Sequence, residues 1–293
     1  MNLYTEYKKS LKMIEVEEIL DLLIFRPPAF FFVKSIYHTF ITPNQITWLS
    51  MSFGVFGAFL ILFGTATAFQ LAAVCFICYN ILDCSDGQLA RLQNSGTVTG
   101  RIVDGIADYV VAVTSYLAIG FGYASNTNNP LLYWILTILA GFSNALHSFA
   151  LDYYRNQFLD YALDRKSILG EDLQQYEKKY KTLAENKKLT FNRLLIRMYL
   201  IYSRIQIQVY SKQKHHLSRM FEPKSYYDKN RRMIHLWTYI GPTTELTFMI
   251  VCAFINRWDL FLWGMVTVAN IYTLILYILQ KFTNASLKKV DSE

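Results

Sequence analysis

Four aspartates carry most of the chemistry in this 293-residue chain: Asp83, Asp86, Asp104 and Asp108. Asp83 and Asp86 are spaced i,i+3, and Asp104 and Asp108 i,i+4. On a helix each pair shares one face. The connection 84–101 is long enough for two such helices to pack antiparallel and turn both acidic faces to one spot. Four converging carboxylates repel one another unless cations lie between them. Their oxygens suit hard divalent ions, Mg²⁺ or Mn²⁺ first and Ca²⁺ after them. Two such ions about 3.5–4 Å apart would clamp a phosphoryl group during transfer. Gly87 and Gly100 leave bare backbone that a bulky ligand or a neighbouring helix can approach. Arg91, one turn beyond Gly87, can neutralise a phosphate.

The elements that must position these residues are membrane helices. The chain is 53% apolar and 17% charged, with mean hydropathy +0.19. Soluble domains carry about 25% charged residues. Four cysteines cannot staple a chain of this size, so a disulfide scaffold is excluded, and the apolar content excludes a disordered chain. Six apolar stretches could span a bilayer core: roughly 45–65, 66–84, 101–124, 130–153, 235–256 and 258–280. The expected fold is all-α and polytopic, with six transmembrane helices. An amphipathic interfacial helix near Phe30–Tyr37 precedes the first span, and Thr42-Pro43-Asn44 turns the chain into it. The expected segments are an interfacial N-terminal piece (1–41), spans one to four (42–154), a basic helical cytoplasmic insert (155–234), and spans five and six with the tail (235–293).

Charge sets the orientation. Of 29 Lys and Arg, 28 fall in the N-terminal segment, the 84–101 region, the insert and the tail, leaving Arg257 alone on the other side. Both termini are therefore expected in the cytoplasm. The net charge of +7 points to anionic lipid rather than nucleic acid. No cleavable signal peptide is expected.

The pattern D-x-x-D-G-x-x-A-R-x8-G-x-x-x-D-x-x-x-D is complete in Asp83, Asp86, Gly87, Ala90, Arg91, Gly100, Asp104 and Asp108. It resembles the signature of the CDP-alcohol phosphotransferases, and Thr42 to Thr47 resembles the start of the first span in many members. The resemblance covers roughly residues 26–153. It implies a membrane enzyme that moves a phosphatidyl or phosphoalcohol group from a CDP-linked donor to an alcohol hydroxyl and releases CMP. It implies two bound Mg²⁺ or Mn²⁺ ions held by Asp83, Asp86, Asp104 and Asp108, with Asp108 also taking the proton of the attacking hydroxyl. Gly87, Ala90, Arg91 and Gly100 would shape the nucleotide pocket. A homodimer and a role in phospholipid synthesis follow from the same resemblance. The expected donor is CDP-diacylglycerol, and the expected location is a prokaryotic plasma membrane.

Outside the motif, residues divide between substrate contact and plain structure. Asn44 and Thr47 fit nucleotide contact or helix capping. Asn144 and His147, i,i+3 in the fourth span beside Ser143, fit an acceptor pocket or interhelical hydrogen bonds. Glu245, about ten residues into the fifth span and so about 15 Å deep, needs a partner or a substrate. Arg26, Lys34 and Arg155 fit phosphate binding or snorkelling. Cys75 and Cys78 read as packing. The spacing leaves a reversed reading open, with a CDP-linked ethanolamine, choline or inositol type as donor. It also leaves a cation channel or transporter with an acidic ring, and an inactive lipid-binding scaffold.

Overall fold

A computed structural model describes residues 3–11, 14–162 and 222–287, together with 177, 180, 197 and 200. Most of the insert expected over 155–234 lies outside the described residues. Every regular element among the described residues is helical. In chain order they are α1 (Leu3–Ser10), α2 (Arg26–Ile36), α3 (Pro43–Ile61), α4 (Ala66–Leu92), α5 (Val98–Gly122), α6 (Pro130–Ala162), α7 (Pro223–Trp237), α8 (Pro242–Phe254), α9 (Trp258–Trp263) and α10 (Asn270–Ala285).

Local chemistry sets the boundaries. Thr42 and Gln45 form a reciprocal capping box at the start of α3, with Pro43 in its first turn. Thr65 and Thr97 cap α4 and α5, each accepting a backbone N–H from the first turn. A cap of this kind is worth about 1 kcal/mol. Gly64, with φ +65°, closes the tight turn from α3 into α4, where a side chain would be strained.

Five stretches among the described residues are long and apolar enough to cross a membrane: Pro43–Ile61, Ala66–Leu92, Gly100–Asn126, Pro130–Leu159 and Trp258–Ala285. The sixth expected span, 235–256, is divided. Its start belongs to the end of α7 and a 3₁₀ turn at Thr238–Ile240, and α8 begins afresh at Pro242. Gly241-Pro242 is the cause, since Gly241 is extended (φ −73°, ψ 162°) and proline donates no N–H. With 13 residues, α8 is about 20 Å long, short of a bilayer core of about 30 Å. The last long helix contains a π-helical stretch at Gly264–Ala269.

The chain forms two compact units, Met1–Phe149 with Trp237–Ile275, and Ala150–Leu236 with Leu276–Glu293. In the first, α4 packs against α1, α2, α3 and α8, and α3 also packs on α5. Its core includes Phe76, Ile119, Trp258 and Phe261, all fully buried. Phe56, Phe59, Val113, Leu117 and Phe142 point outward, as lipid-facing residues do. The amphipathic helix expected before the first span is α2, which buries Ala29, Phe30, Val33 and Ile36 and exposes Phe31. In the second unit, Tyr226 Oη donates to Gln157 Oε1 (3.1 Å), and Gln280 Nε2 donates to Asn230 Oδ1.

Candidate active site

Helix α4 runs on to Leu92, past the end expected at residue 84, so Asp83, Asp86, Gly87, Ala90 and Arg91 all lie on one continuous helix. Asp104 and Asp108 occupy the first turns of α5. Oxygens of Asp83, Asp86 and Asp104 lie within 4.8 Å of one another. Three carboxylates that close offer the donor set a hard divalent cation takes. Asp108 is not in that group. It is exposed, and its Oδ1 accepts a hydrogen bond from Tyr79 Oη at 2.7 Å. The four acids thus stand as a triad and a neighbour with a different partner.

Helix α3 delivers the residues beside the triad. The Thr47 hydroxyl donates to Asp86 Oδ2, and both residues are buried. The capping role at α3 belongs to Thr42, which frees Asn44 to face α5. A Cβ at Gly100 would lie 2.8 Å from Asn44 Oδ1 and 3.0 Å from Thr97 Oγ1. Glycine at 100 is therefore required by the approach of Asn44. At Gly87 the vacant side-chain space holds the Arg91 guanidinium, whose Nη1 would be 3.2 Å from a Cβ.

The N-terminal segment packs along a neighbouring face of α4. Arg91 Nε donates to the Ser10 carbonyl oxygen at 2.5 Å. Arg26 does not snorkel: it is 4% exposed and pairs with Glu17, also 4% exposed, at 2.5 Å. A buried pair of this type resists the loss of either partner. Burial works against the Arg26 charge, but anionic groups around it, Glu17, Asp21 and Asp83 among them, outweigh burial and hold its pKa above the usual arginine value. Gln88 Nε2 donates to the Arg26 carbonyl oxygen at 3.1 Å, joining α2 to the motif helix. Lys34 pairs with Glu6 (2.5 Å) and Arg155 with Asp152 (3.4 Å).

Asn144, His147 and Glu245 come together with one another. Asn144 Nδ2 donates to Glu245 Oε2, and His147 Nδ1 meets Glu245 Oε1. His147 Nε2 meets Asn270 Oδ1 at 3.1 Å. Asn270 Nδ2 in turn donates to Ser143 Oγ (2.9 Å) and to the carbonyls of Met265 and Val266 (3.2 and 3.0 Å). A π-helical turn frees carbonyls from the usual ladder, and Asn270 satisfies two of them. Glu245 lies in the first turn of α8, not ten residues into a span, because the helix starts at Pro242.

Sequence reasoning did not single out Tyr79, Ser10 or Glu17. Tyr79 had a readable signal: it is i−4 from Asp83 and so shares the acidic face. Ser10 acts through its backbone carbonyl, for which side-chain type carries no signal.

Comparison with known proteins agrees with the motif. The family model of CDP-alcohol phosphatidyltransferase matches residues 40–170. Residues 40–170 are therefore similar to the CDP-alcohol phosphatidyltransferase family, in a chain with five helices among the described residues that are long and apolar enough to cross a membrane. A protein of Thermococcus kodakarensis, the bifunctional IPC transferase and DIPP synthase, is 32% identical over 118 residues. The match covers 40% of this chain and 26% of that relative, so the chain spans about a quarter of the relative's length.

Proposed function

We propose that this chain is a metal-dependent CDP-alcohol phosphotransferase of phospholipid synthesis. It transfers a phosphatidyl group from CDP-diacylglycerol to the hydroxyl of a small polar alcohol and releases CMP. The observation that carries the reading is the carboxylate triad of Asp83, Asp86 and Asp104 with Asp108 exposed beside it. The bound ions, Mg²⁺ or Mn²⁺, would supply charge neutralisation at the diphosphate. Asp83, Asp86 and Asp104 would hold them, with Asp108 as the further carboxylate beside the triad.

The remaining steps belong to the protein's own groups. Asp108 accepts the proton of the acceptor hydroxyl. The acceptor oxygen forms a bond to the phosphorus bearing the diacylglycerol, and the bond from that phosphorus to the bridging oxygen breaks. CMP departs with the electron pair. Tyr79 holds Asp108 in orientation, and Thr47 does the same for Asp86. Arg91 and the bare backbone at Gly87 and Gly100 receive the diphosphate, with Ala90 leaving room and Asn44 at the edge. The Asn144–His147–Glu245 network fixes α6 against α8 and α10, a structural role supported by its mutual hydrogen bonds. The enzyme works as a homodimer at the cytoplasmic face of a prokaryotic plasma membrane. Both termini are cytoplasmic, so the number of passes is even, and the broken segment 235–256, α8 included, makes the sixth.

The test is CMP release by detergent-purified protein with Mg²⁺ or Mn²⁺. CDP-diacylglycerol is offered with inositol phosphate, glycerol phosphate or serine. Release with one alcohol, abolished by EDTA and by Asp108→Asn, supports the reading. Release only with CDP-ethanolamine, CDP-choline or CDP-inositol would reverse donor and acceptor. No release with any donor would sink the enzyme reading.

A further inference from the structure

Beside the acidic triad the motif residue Arg91 meets charges from outside the motif, Arg26 and Glu17. At roughly 100° per residue, Arg91 falls about 80° around α4 from Asp83, on the flank that faces the N-terminal segment. Arg26 reaches the same flank from α2, close enough to feel the charges of both Asp83 and Arg91. Glu17 lies near both guanidinium groups and is paired to Arg26. The hydrogen bonding here is incomplete. Arg26 Nη1 and Arg91 Nη2 are buried and have no hydrogen-bond partner among the described residues. Buried guanidinium N–H groups left unpaired are costly, and guanidinium forks match phosphate oxygens in geometry. Carboxylates of Glu17, Asp21, Asp83 and Asp86 act on these two cations, so what is unmet here is hydrogen bonding and not charge. A phosphate oxygen would take up the open N–H groups.

We propose that Arg26 and Arg91 form a two-guanidinium site for the diphosphate of the CDP-linked donor, and that Glu17 and the Ser10 carbonyl hold them until the anion arrives. The inference rests on the proposed function for the identity of the anion. It adds a phosphate ligand, Arg26, from outside the motif, and gives the N-terminal segment a part in substrate binding. Nucleotide phosphate competes with Glu17 for Arg26. The two residues of one ion pair should therefore affect nucleotide affinity in opposite directions, which a purely structural pair would not do.

The experiment is calorimetric titration of the full-length, detergent-purified protein with CDP in the presence of Mg²⁺, with thermal unfolding run in parallel. Arg26→Gln is expected to weaken CDP binding about tenfold or more, from the loss of charge-assisted hydrogen bonds. Arg26→Lys, which keeps the charge without the fork, should fall between it and the unsubstituted protein. Glu17→Gln is expected to tighten CDP binding despite a lower unfolding temperature. Wild-type affinity in Arg26→Gln, or weakening by Glu17→Gln in step with Arg26→Gln, would overturn the proposal. If Arg26→Gln does not fold, Glu17→Gln decides alone: tighter binding supports the site, and unchanged or weaker binding overturns it. Failure of the unsubstituted protein to bind CDP would instead remove the functional reading beneath it.

Discussion

Placing a methyl group at Gly100 tests whether Asn44 is held against α5 for a purpose. The new carbon would lie 2.8 Å from Asn44 Oδ1 and 3.0 Å from Thr97 Oγ1. The first distance is inside normal carbon–oxygen contact, so Asn44 must swing away. The second crowds the hydroxyl that caps α5 by accepting the Gly100 N–H at 3.0 Å. Alanine gains about 0.8–1 kcal/mol over glycine in a helix. Weakening the Thr97 cap costs about 1 kcal/mol. These contributions nearly cancel, so Gly100→Ala should unfold close to the unsubstituted temperature. Activity should not be spared. Loss of one neutral hydrogen bond from Asn44 to the nucleotide raises KM for the CDP-linked donor roughly three- to tenfold. Asn44→Ala should do the same, and the double variant should be no worse than either single one. Gly105→Ala is the control, since a Cβ there meets nothing within 4 Å. Steady-state CMP release and a melting curve on all four variants complete the cycle. Additive KM effects, or a Gly100→Ala variant that behaves as Gly105→Ala does, would refute the contact.

Tyr79→Phe removes the hydroxyl bound to Asp108 and should lower kcat about tenfold with little change in donor KM, because a hydrogen bond to a charged group is worth about 1.5–3 kcal/mol. An unchanged kcat would refute the orienting role of the hydroxyl. Gly241→Ala drives a Cβ into the Glu18 carboxylate and should lower the unfolding temperature measurably, as Glu18→Ala should by removing the same cap. Glu6 is held below its ordinary pKa of 4.5 by its hydrogen bond from Lys34. The stabilisation it supplies is complete above the unfolded value and is lost as pH falls through the lower folded one. Lys34→Met should therefore flatten the dependence of unfolding temperature on pH below about pH 5.

The acidic site was legible because its information is local. Asp83 with Asp86, and Asp104 with Asp108, share helix faces by periodicity, whereas the separation of Asp108 from the other three and its bond from Tyr79 depend on how α4 and α5 pack. The N-terminal amphipathic helix was legible for the same reason. The break inside the sixth expected span was not legible because hydropathy registers apolar content and not a backbone break, and Gly241-Pro242 sits inside an apolar run. Arg26 stood between phosphate binding and snorkelling in the sequence, and its burial against Glu17 was not legible because Glu17 lies in an irregular segment where no periodicity links them. The Asn144–His147–Glu245 cluster could be guessed residue by residue. Its closure through Asn270 depends on a π-helical stretch that pattern reading does not detect.

The carboxylate of Glu18 accepts the backbone N–H groups of Thr243 and Thr244 at 3.1 and 3.2 Å, and so completes the start of α8, which has no side-chain cap of its own. Those partners follow 225 and 226 residues later in the chain. At about 5–20 residues per second of synthesis, the carboxylate waits roughly 10–45 s for them. During that wait the motif helices are already made, and the segment that covers Arg91 is held by α4 but not yet by α8. The catalytic half, expressed without its C-terminal helices, would carry every motif residue and lack the amides that hold its N-terminal cover in place.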